Sequence, residues 1–336
     1  MIRIVNESLN PYFNLALEEY LLKEFSLDSD LFVFWQNSPA VIVGRNQNTA
    51  GEIDQEFVAK NGVTVVRRLT GGGAVYHDLG NLNFTFIARG QKCGCYNFAS
   101  FALPIIEAME SLGVRAEFSG RNDITVQGRK VSGNAQYRYK NSVLHHGTLL
   151  FDSNMENLVQ ALRVSPDKLT SKGVASVRSR VANIREYLLV DLEMTEFKTA
   201  LVQRVSQLCG NDGEYHLTGR DLRRIEDLVD TKYGTWEWNY GASPGYAWRR
   251  SGRFDWGKIE ILLDVREGLI AGCKIYGDFF SSREISGLER RLINVPLLEQ
   301  TIRQALEKVD LASYICGLDR EALIGLIAGR EGYSAM

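Results

Sequence analysis

Three consecutive glycines, preceded by two arginines and followed by a His-Asp pair, constrain this chain more than any other stretch. The segment 67–78 reads RRLTGGGAVYHD and follows a β-branched run at 63–66 that predicts a buried strand. A second strand is predicted at 83–88, so the glycines are expected to connect two strands. A glycine run suits a backbone that needs positive φ, or a main chain that another group must approach closely. Bare amides beside guanidinium groups favour a phosphate or carboxylate site, and a glycine-rich hairpin turn is the alternative.

Length and composition restrict the class of protein. The 336 residues predict two domains, and the 45% hydrophobic content suffices for a substantial core. A formal net charge of −2 argues against a dedicated nucleic-acid binder. No apolar run approaches the length of a membrane span or of a signal-peptide core, so a cytoplasmic protein is expected. The five cysteines are odd in number and scattered, and they indicate neither a disulfide framework nor a zinc site.

Local signals predict the order of elements. Asn10 and Pro11 open a first helix, and a second helix is predicted from Asn97 to a stop at Gly113. A stretch at 233–247, rich in aromatic and turn-forming residues, predicts a boundary between domains at 245/246. Further strands are predicted at 31–35, 40–44, 114–118, 123–126, 130–135, 146–151, 254–256, 258–265 and 269–276, and C-terminal helices at 296–309 and 320–328.

Lys130 is the second feature that suggests chemistry. It lies between Gly128 and Gly133 at the start of a predicted strand, and Asp123 lies seven residues before it. If the two strands pair, Lys130 and Asp123 can approach each other across the ladder. A solvated edge lysine is an equally favoured interpretation. Motifs of P-loops, dinucleotide folds, serine hydrolases and zinc proteases are all missing from the sequence.

In combination, RRLTGGGAVYHDLGN, GRNDI with GRKVSGNAQ, and HHGTLLFD resemble the three signatures of the lipoate–protein ligase A family. The likeness continues through SVRSRVANI and WEWNYGASP. It implies an α+β fold: a class II synthetase-like biotinyl/lipoyl ligase catalytic domain with mixed and antiparallel sheets and helices at 1–245, and a small α+β accessory domain at 246–336. It also implies two half-reactions, in which lipoate and ATP give lipoyl-AMP, and a lysine of an apo lipoyl domain then takes the acyl group.

The resemblance also implies roles for individual residues. Arg68 and the segment 73–76 match ATP and lipoyl-adenylate contacts, Lys130 matches the lysine that meets the lipoyl carbonyl and the α-phosphate, and Arg45 matches a residue on the lipoate side. We expect Lys130 and Asp123 to be catalytic. The expected binding residues are Arg45, Arg68, Gly71, Gly72, Gly73, Ala74, Val75, Tyr76, His77, Lys130 and His146. Two departures are Leu69, where some relatives have a third arginine, and the short spacer 125–128.

Ligands and partners follow from the same resemblance. ATP with Mg²⁺ is expected, with lipoate as substrate, and no protein-built metal site is needed because phosphate oxygens hold most of the ion. The expected acceptors are lipoyl domains of 2-oxoacid dehydrogenase acyltransferase subunits and the glycine-cleavage H protein. We expect a monomer that binds neither nucleic acid nor membrane. An apolar slot for the acyl chain predicts that octanoate is accepted as well.

Three alternatives stay open at this point. An octanoyl/lipoyl transferase of the same fold would use a thioester donor and an activated cysteine, for which Cys93 and Cys95 are the candidates near the motifs. A biotin ligase is disfavoured because no GRGRxG-type glycine motif is evident. A non-catalytic lipoyl- or nucleotide-binding sensor is disfavoured because Lys130 and Arg68 are intact.

Overall fold

The computed structural model describes residues 1–27, 29–90, 97–162, 180–210, 212–240 and 248–328. They form two compact units. The first unit consists of Met1–Val43, Ala50–Arg67 and Val75–Asn239, and the second of Gly44–Thr49, Arg68–Ala74 and Tyr240–Met336. Two loop segments from the N-terminal part of the chain therefore group with the C-terminal part. The predicted boundary at 245/246 lies outside the described residues and stays a prediction.

The strands in chain order are β1 (Ile2–Val5), β2 (Leu31–Trp35), β3 (Ala40–Val43), β4 (Thr64–Arg67), β5 (Val75–His77), β6 (Asn81–Ala88), β7 (Glu117–Ser119), β8 (Asp123–Val126), β9 (Arg129–Tyr139), β10 (Ser142–Leu150), β11 (Glu214–His216), β12 (Trp248–Phe254), β13 (Gly257–Arg266) and β14 (Leu269–Gly277). Within the described residues, eight of them form a mixed sheet in the order β11-β1-β2-β6-β10-β9-β8-β7. The long antiparallel strands β6, β10 and β9 lie at its centre.

The helices are α1 (Pro11–Lys23), α2 (Thr49–Glu52), α3 (Gln55–Lys60), α4 (Phe98–Glu110), α5 (Met155–Ala161), α6 (Met194–Cys209), α7 (Gly219–Leu228), α8 (Trp236–Asn239), α9 (Ser286–Leu292), α10 (Glu299–Leu306), α11 (Leu311–Tyr314) and α12 (Arg320–Ala328). The predicted starts of α1 and α4 are confirmed. The Asn10 side chain accepts a hydrogen bond from the Tyr12 amide at 2.9 Å, and that of Asn97 from the Ser100 amide at 3.2 Å. None of the helices in the described ranges combines the length and the apolar content that a bilayer crossing requires.

The glycine-rich connection differs from the prediction. It joins β4 to the short strand β5, which the sequence pattern did not reveal, rather than to β6. Strands β4 and β5 do not pair with each other; both pair with β3, β4 in parallel and β5 antiparallel. The hairpin interpretation is therefore wrong, because the two strands that residues 68–74 connect do not pair with each other.

The core of the first unit lies between the large sheet and helices α4 and α6. Buried aromatic side chains from β2 and β6, among them Phe32, Phe84 and Phe86, pack with Ile105 of α4 and Phe197 of α6. This burial accounts for the apolar periodicity of α4. The opposite face of β6 presents polar side chains, and these belong to the site described below.

Asp221 joins α7 to α1 through buried hydrogen bonds. Its carboxylate accepts from the Tyr20 hydroxyl of α1, from the Tyr215 hydroxyl at 2.8 Å, and from the amide and hydroxyl of Thr218, both at 2.7 Å. Burial alone would raise the pKa of Asp221, but these four donors outweigh it and lower the pKa to about 2. The ionised Asp221 carboxylate therefore stabilises the folded protein at pH values above the ordinary carboxyl pKa.

We expect Asp221→Asn to lower the free energy of unfolding by about 2 kcal/mol at pH 7, since each pKa unit is worth about 1.36 kcal/mol. Because the folded pKa is depressed, the wild-type contribution is complete above about pH 4 and disappears as the pH falls towards 2. Urea unfolding of both proteins at pH 7 and at pH 2.5 measures the difference. An equal difference at both pH values would contradict this assignment.

The second unit contains the sheet β12-β13-β14 and the C-terminal helices, with a core of side chains such as Ile261, Ile275, Leu292 and Ile324. The predicted strand at 254–256 is misplaced: β12 ends at Phe254, and residues 255 and 256 form the turn into β13. Helices α9 and α11 were not predicted, since each is too short to show a helical period.

Candidate active site

Lys130 and Asp123 meet on the β8–β9 hairpin of the first unit. The two residues between these strands, Gln127 and Gly128, have φ values of 50° and 76°, which a two-residue hairpin turn of type I′ requires. Lys130 Nζ lies 2.7 Å from Asp123 Oδ1, and the two side chains are 38% and 35% exposed. The predicted strand pairing is present, and the ion pair stays accessible to a ligand.

Gly133 leaves space for this pair. It lies opposite Asp123 in the strand register. A Cβ at position 133 would lie 3.0 Å from Lys130 Nζ and 3.2 Å from Lys130 Cε. The glycine that follows Lys-Val-Ser in the sequence therefore lets the ammonium group lie flat against the strand.

The backbone of Lys130 is held on its other side by residues 180–182. Its amide donates to the carbonyl of Arg180 at 2.7 Å, and its carbonyl accepts from the amide of Ala182 at 2.9 Å. The neighbouring Arg129 guanidinium contacts the carbonyl of Val181 at 3.0 Å. Lys130 thus lies on a strand segment that is hydrogen-bonded along both edges.

His146 lies in a buried polar network that the sequence pattern did not reveal. Its Nδ1 atom lies 2.9 Å and 3.0 Å from the two carboxylate oxygens of Glu18 on α1. The Thr85 hydroxyl donates to Glu18 at 2.6 Å and accepts from the Trp35 indole at 2.9 Å. Glu18 is only 3% exposed. The sequence gives one sign of this role: Glu18 is a carboxylate within the apolar pattern of α1. A carboxylate is seldom buried unless it has a hydrogen-bond or ionic partner.

Two asparagines on the same face of β6 were also missed. Asn81 and Asn83 are almost fully buried, and the Asn81 amide donates to Asn83 Oδ1 at 2.9 Å. Among the described residues, Asn81 Oδ1 and Asn83 Nδ2 have no hydrogen-bond partner. One free acceptor and one free donor at adjacent buried positions are costly unless a ligand satisfies them.

The second half of the glycine motif forms β5. Tyr76 and His77 are both 3% exposed, and His77 Nδ1 lies 3.1 Å from the Asn37 amide nitrogen. Burial, followed by the charge of Asp78, raises the pKa of Tyr76. Val75 and Ala74 are half-buried.

In the second unit, the three glycines differ in how strongly the protein constrains them. A Cβ on Gly71 would lie 2.2 Å from the carbonyl oxygen of Phe279, so only glycine fits there. Gly72 has φ +91°, which side chains rarely adopt. Gly73 is exposed and has neither constraint: no described heavy atom lies within 4 Å of its Cβ position.

The arginines around the glycines organise the loop. The Arg68 guanidinium donates to the hydroxyl of Thr70 at 2.8 Å and to the carbonyls of Gly71 at 2.7 Å and Gly73 at 2.8 Å. Arg45, predicted on the lipoate side, pairs with the carboxylate of Glu284 in the same unit.

Arg67 belongs to the first unit and holds the end of β4. Its guanidinium donates to the carbonyls of Trp238 at 2.9 Å and Asn239 at 3.2 Å. Its own amide donates to Asn239 Oδ1 at 2.9 Å. These bonds explain why a buried arginine is tolerated immediately before the loop.

Comparisons with known proteins agree over the whole chain. The family model of the lipoyl protein ligase A/B catalytic domain matches residues 10–206, and that of the bacterial lipoate protein ligase C-terminus matches residues 243–327. A lipoate-protein ligase of Bacillus subtilis is 44% identical over 330 residues, which cover 97% of this chain and 100% of the relative. Lipoate–protein ligase 1 of Staphylococcus aureus is 44% identical over 96% of this chain and 98% of its own length.

Solved structures of similar proteins have the same fold. Plasmodium falciparum LipL1 in complex with lipoate has a TM-score of 0.76 at 26% identity and covers 98% of both chains. A lipoate-protein ligase A bound with ATP has a TM-score of 0.61 at 29% identity, covering 71% of this chain and 98% of that one. A bi-partite lipoate protein ligase of Thermoplasma acidophilum, studied with its E2 lipoyl domain, has a TM-score of 0.64 at 29% identity, covering 74% and 98% of the two chains. The predicted α+β fold class is confirmed.

Proposed function

This chain belongs to the lipoyl protein ligase A/B family, and we propose that it attaches lipoate to a lysine of apo lipoyl domains in two steps. In the first step, a carboxylate oxygen of lipoate attacks the α-phosphorus of ATP, the bond to the bridging oxygen breaks, and pyrophosphate leaves. In the second step, the neutral amine of the acceptor lysine attacks the acyl carbon of lipoyl-AMP. AMP leaves with the bonding electron pair, and the nitrogen loses a proton.

The observation that carries this proposal is the Lys130–Asp123 pair on its tight hairpin. The first step brings two anions together, and a fixed cation lowers such a barrier by about 2.7–4 kcal/mol per donor. Lys130 is suited to neutralise the lipoyl carboxylate and the α-phosphate. Asp123 orients the ammonium group and assists removal of the proton in the second step, where an acceptor amine with an ordinary pKa near 10.4 must first become neutral.

We assign the phosphates to the glycine loop. Arg68 holds the loop in shape through the carbonyls of Gly71 and Gly73, which fixes the directions of the neighbouring amides. Gly73 is the glycine that protein packing does not explain, and an approaching phosphate does explain it. Gly72 supplies the positive φ, and Ala74 continues the loop into β5.

We assign the nucleotide base to the polar face of β6 and β5. Asn81 Oδ1 and Asn83 Nδ2 offer an acceptor and a donor, which complement the amino group and a ring nitrogen of adenine. Val75, Tyr76 and His77 form β5, and we assign them to the nucleotide because the motif that contains them resembles an adenylate-site motif.

The lipoate end involves Arg45 and His146 in this proposal. Because Glu284 neutralises Arg45, an anionic substrate has to replace that carboxylate as the partner of the guanidinium. His146 is oriented by Glu18, whose carboxylate lies 2.9 Å from its Nδ1 atom.

Magnesium enters with ATP in this proposal. The described residues contain no group of three or more histidine, cysteine or acidic side chains arranged to hold a metal ion. An ion that arrives with ATP is bound mainly by phosphate oxygens and water, so it needs few protein ligands.

The domains, the oligomeric state, the acceptors and the compartment are also part of this proposal. We propose a monomeric enzyme with a catalytic domain at 1–245 and an accessory domain at 246–336. Its acceptors are the lipoyl domains of 2-oxoacid dehydrogenase acyltransferase subunits and the glycine-cleavage H protein. Because ATP is the co-substrate, we place the reaction in the cytoplasm.

Exchange of labelled pyrophosphate into ATP tests the first step. We expect exchange that depends on lipoate, followed by attachment of lipoate to an apo lipoyl domain. Octanoate should also support exchange, since each buried CH₂ contributes about 0.8 kcal/mol and its chain is similar to that of lipoate. A complete lack of exchange with octanoate would contradict an apolar acyl slot, and a lack of exchange with both acids would remove the proposed activity.

The same assay separates the thioester-dependent transferase, which gives no exchange. That transferase would need a cysteine nucleophile, and Cys273 and Cys209 are poorly suited to that role. Burial raises the pKa of Cys273 to about 12, and it also raises the pKa of Cys209, whereas an attacking thiol needs a lowered pKa. Cys93 and Cys95, the candidates from the sequence, lie outside the described residues.

A further inference from the structure

We propose, on the basis of the function proposed above, that His145 and Asn134 are positioning residues that hold Lys130 and Asp123 in register from the reverse face of the sheet. Neighbouring residues of a strand point to opposite faces. Gly133 lies beside the Lys130 ammonium, so the side chain of Asn134 lies on the other face. Neither residue was predicted from the sequence to belong to the site: Asn134 was given no role, and of the two adjacent histidines only His146 was expected to bind.

His145 is fully buried and bonded at both ring nitrogens. Its Nδ1 lies 2.9 Å from the amide nitrogen of Gln136, and its Nε2 lies 3.2 Å from Asn134 Oδ1. The ring stacks on Phe101 at 5.0 Å with an interplanar angle of 11°. Burial, followed by the proximity of His146, lowers the pKa of His145 well below its usual range, so the ring is neutral. With Gln136 donating to Nδ1, the single ring proton is on Nε2 and is donated to Asn134.

This hydrogen bond fixes which way the Asn134 amide faces. With Oδ1 committed to His145, Nδ2 points to the carbonyl of Asn122, at 3.0 Å. The Asn134 main-chain amide donates to the same carbonyl at 2.8 Å, and Asn122 Nδ2 donates to the carbonyl of Asn134 at 2.6 Å. Three hydrogen bonds therefore join Asn122 and Asn134 across the hairpin, and we call this set of bonds the 122–134 clamp.

The clamp lies next to the paired residues Asp123 and Gly133. Asn122 precedes Asp123, and Asn134 follows Gly133, the residue opposite Asp123. Between Lys130 and Ser132 the register shifts through a β-bulge, which weakens local control of the Lys130 direction. Beyond the bulge, the 122–134 clamp continues the pairing of the two strands past Asp123 and Gly133.

Gly147 provides the space that this clamp needs. It lies opposite Asn134 in the register of β9 and β10. A Cβ at position 147 would lie 2.4 Å from Asn134 Oδ1 and 2.4 Å from Phe84 Cζ. In the segment HHG, the first histidine and the glycine thus serve the reverse face, and the second histidine serves the face of Lys130.

The test compares His145→Phe with His145→Gln in the full-length protein. Phenylalanine keeps the ring and its stacking on Phe101 but has no N–H for Asn134, whereas glutamine retains an amide donor. We expect His145→Phe to reduce the single-turnover rate of lipoyl-AMP formation by up to about 100-fold, with KM for ATP changed less than about threefold, since misplacement near 1 Å has effects of this size. His145→Gln should recover at least about tenfold of that loss.

A double-mutant cycle with Lys130→Ala decides whether the effect passes through the ion pair. If His145 acts by placing Lys130, His145→Phe should slow adenylation less than about threefold further in the Lys130→Ala protein. Additive losses, or a folded His145→Phe protein with the wild-type rate, would overturn the inference. Wild-type protein that forms no lipoyl-AMP at all would instead overturn the proposed function, and the inference with it.

Asn122→Ala keeps the inference testable if His145→Phe does not fold. Asn122 is only half-buried, and its substitution removes one bond of the clamp while Asn134 and His145 remain. The lost hydrogen bond should slow adenylation by about two- to tenfold. The same cycle with Lys130→Ala applies: a non-additive loss supports the clamp, and an additive loss or no loss contradicts it.

Discussion

Replacing Lys130 with alanine is expected to slow lipoyl-AMP formation by about 10²–10³-fold and to leave the fold intact. The ammonium group is 38% exposed and its backbone bonds do not depend on the side chain, so little packing is lost. What is lost is the fixed positive charge where two anions meet, and removing one such donor costs about 2.7–4 kcal/mol. Single-turnover formation of lipoyl-AMP measures the change directly, and thermal unfolding checks the fold.

Lys140 offers a matched control beyond the other end of strand β9. It lies at the turn between β9 and β10, where its ammonium lies 5.3 Å from the centre of the Tyr139 ring. Lys140→Ala removes the same kind of side chain and should change the rate less than about twofold. Wild-type rates for Lys130→Ala would remove the electrostatic assignment, whereas equal losses at both positions would indicate a general effect of charge.

Asp123→Asn separates charge from shape in the same pair. The amide keeps the volume of the carboxylate but loses its charge, so Lys130 is held less firmly and the proposed help in proton removal is lost. Both half-reactions should therefore slow, the second measured with preformed lipoyl-AMP and an apo lipoyl domain. Unchanged rates in both would remove the role of Asp123.

Local signals in the sequence predicted the elements whose causes are local. The caps Asn10 and Asn97 act within one helical turn, and the helices begin where these residues predict. Strand β5 has three residues, and its pairing with β3 depends on a segment more than thirty residues away. Such pairings leave almost no periodic pattern, which is why the glycine loop was assigned to the wrong strand.

The site shows the same division. The approach of Lys130 to Asp123 was predicted from their seven-residue spacing on two strands that were expected to pair. Their catalytic roles were predicted from the family resemblance. Glu18 was missed because its partner His146 is 128 residues away, and a carboxylate within the apolar pattern of α1 does not by itself show what it contacts. A buried polar residue shows its role through the group that it contacts, and the sequence alone does not give that contact.

The substitutions Gly71→Ala and Gly73→Ala are expected to have opposite consequences for stability and binding. At Gly71 the added methyl group meets Phe279 O at 2.2 Å and the Phe280 Cα at 3.1 Å. Both are backbone atoms that cannot rotate away, so overpacking should cost about 1–3 kcal/mol in the second unit. At Gly73 no described atom is close, and alanine should leave the unfolding temperature unchanged or raise it slightly, because the unfolded chain has less freedom.

For nucleotide binding, we expect Gly73→Ala to have the larger effect of the two substitutions. If a phosphate approaches the main chain at Gly73, a methyl group there interferes with a charge-assisted hydrogen bond worth about 1.5–3 kcal/mol, which corresponds to at least about a tenfold increase in KM for ATP. Thermal unfolding and KM for ATP, measured on both variants, give the comparison. Gly72→Ala serves as the intermediate case, since its positive φ should destabilise alanine by about 1–2 kcal/mol without a direct steric clash with the backbone. An unchanged KM in a stable Gly73→Ala protein would mean that the loop is shaped by packing alone, and the phosphates would then have to be assigned elsewhere.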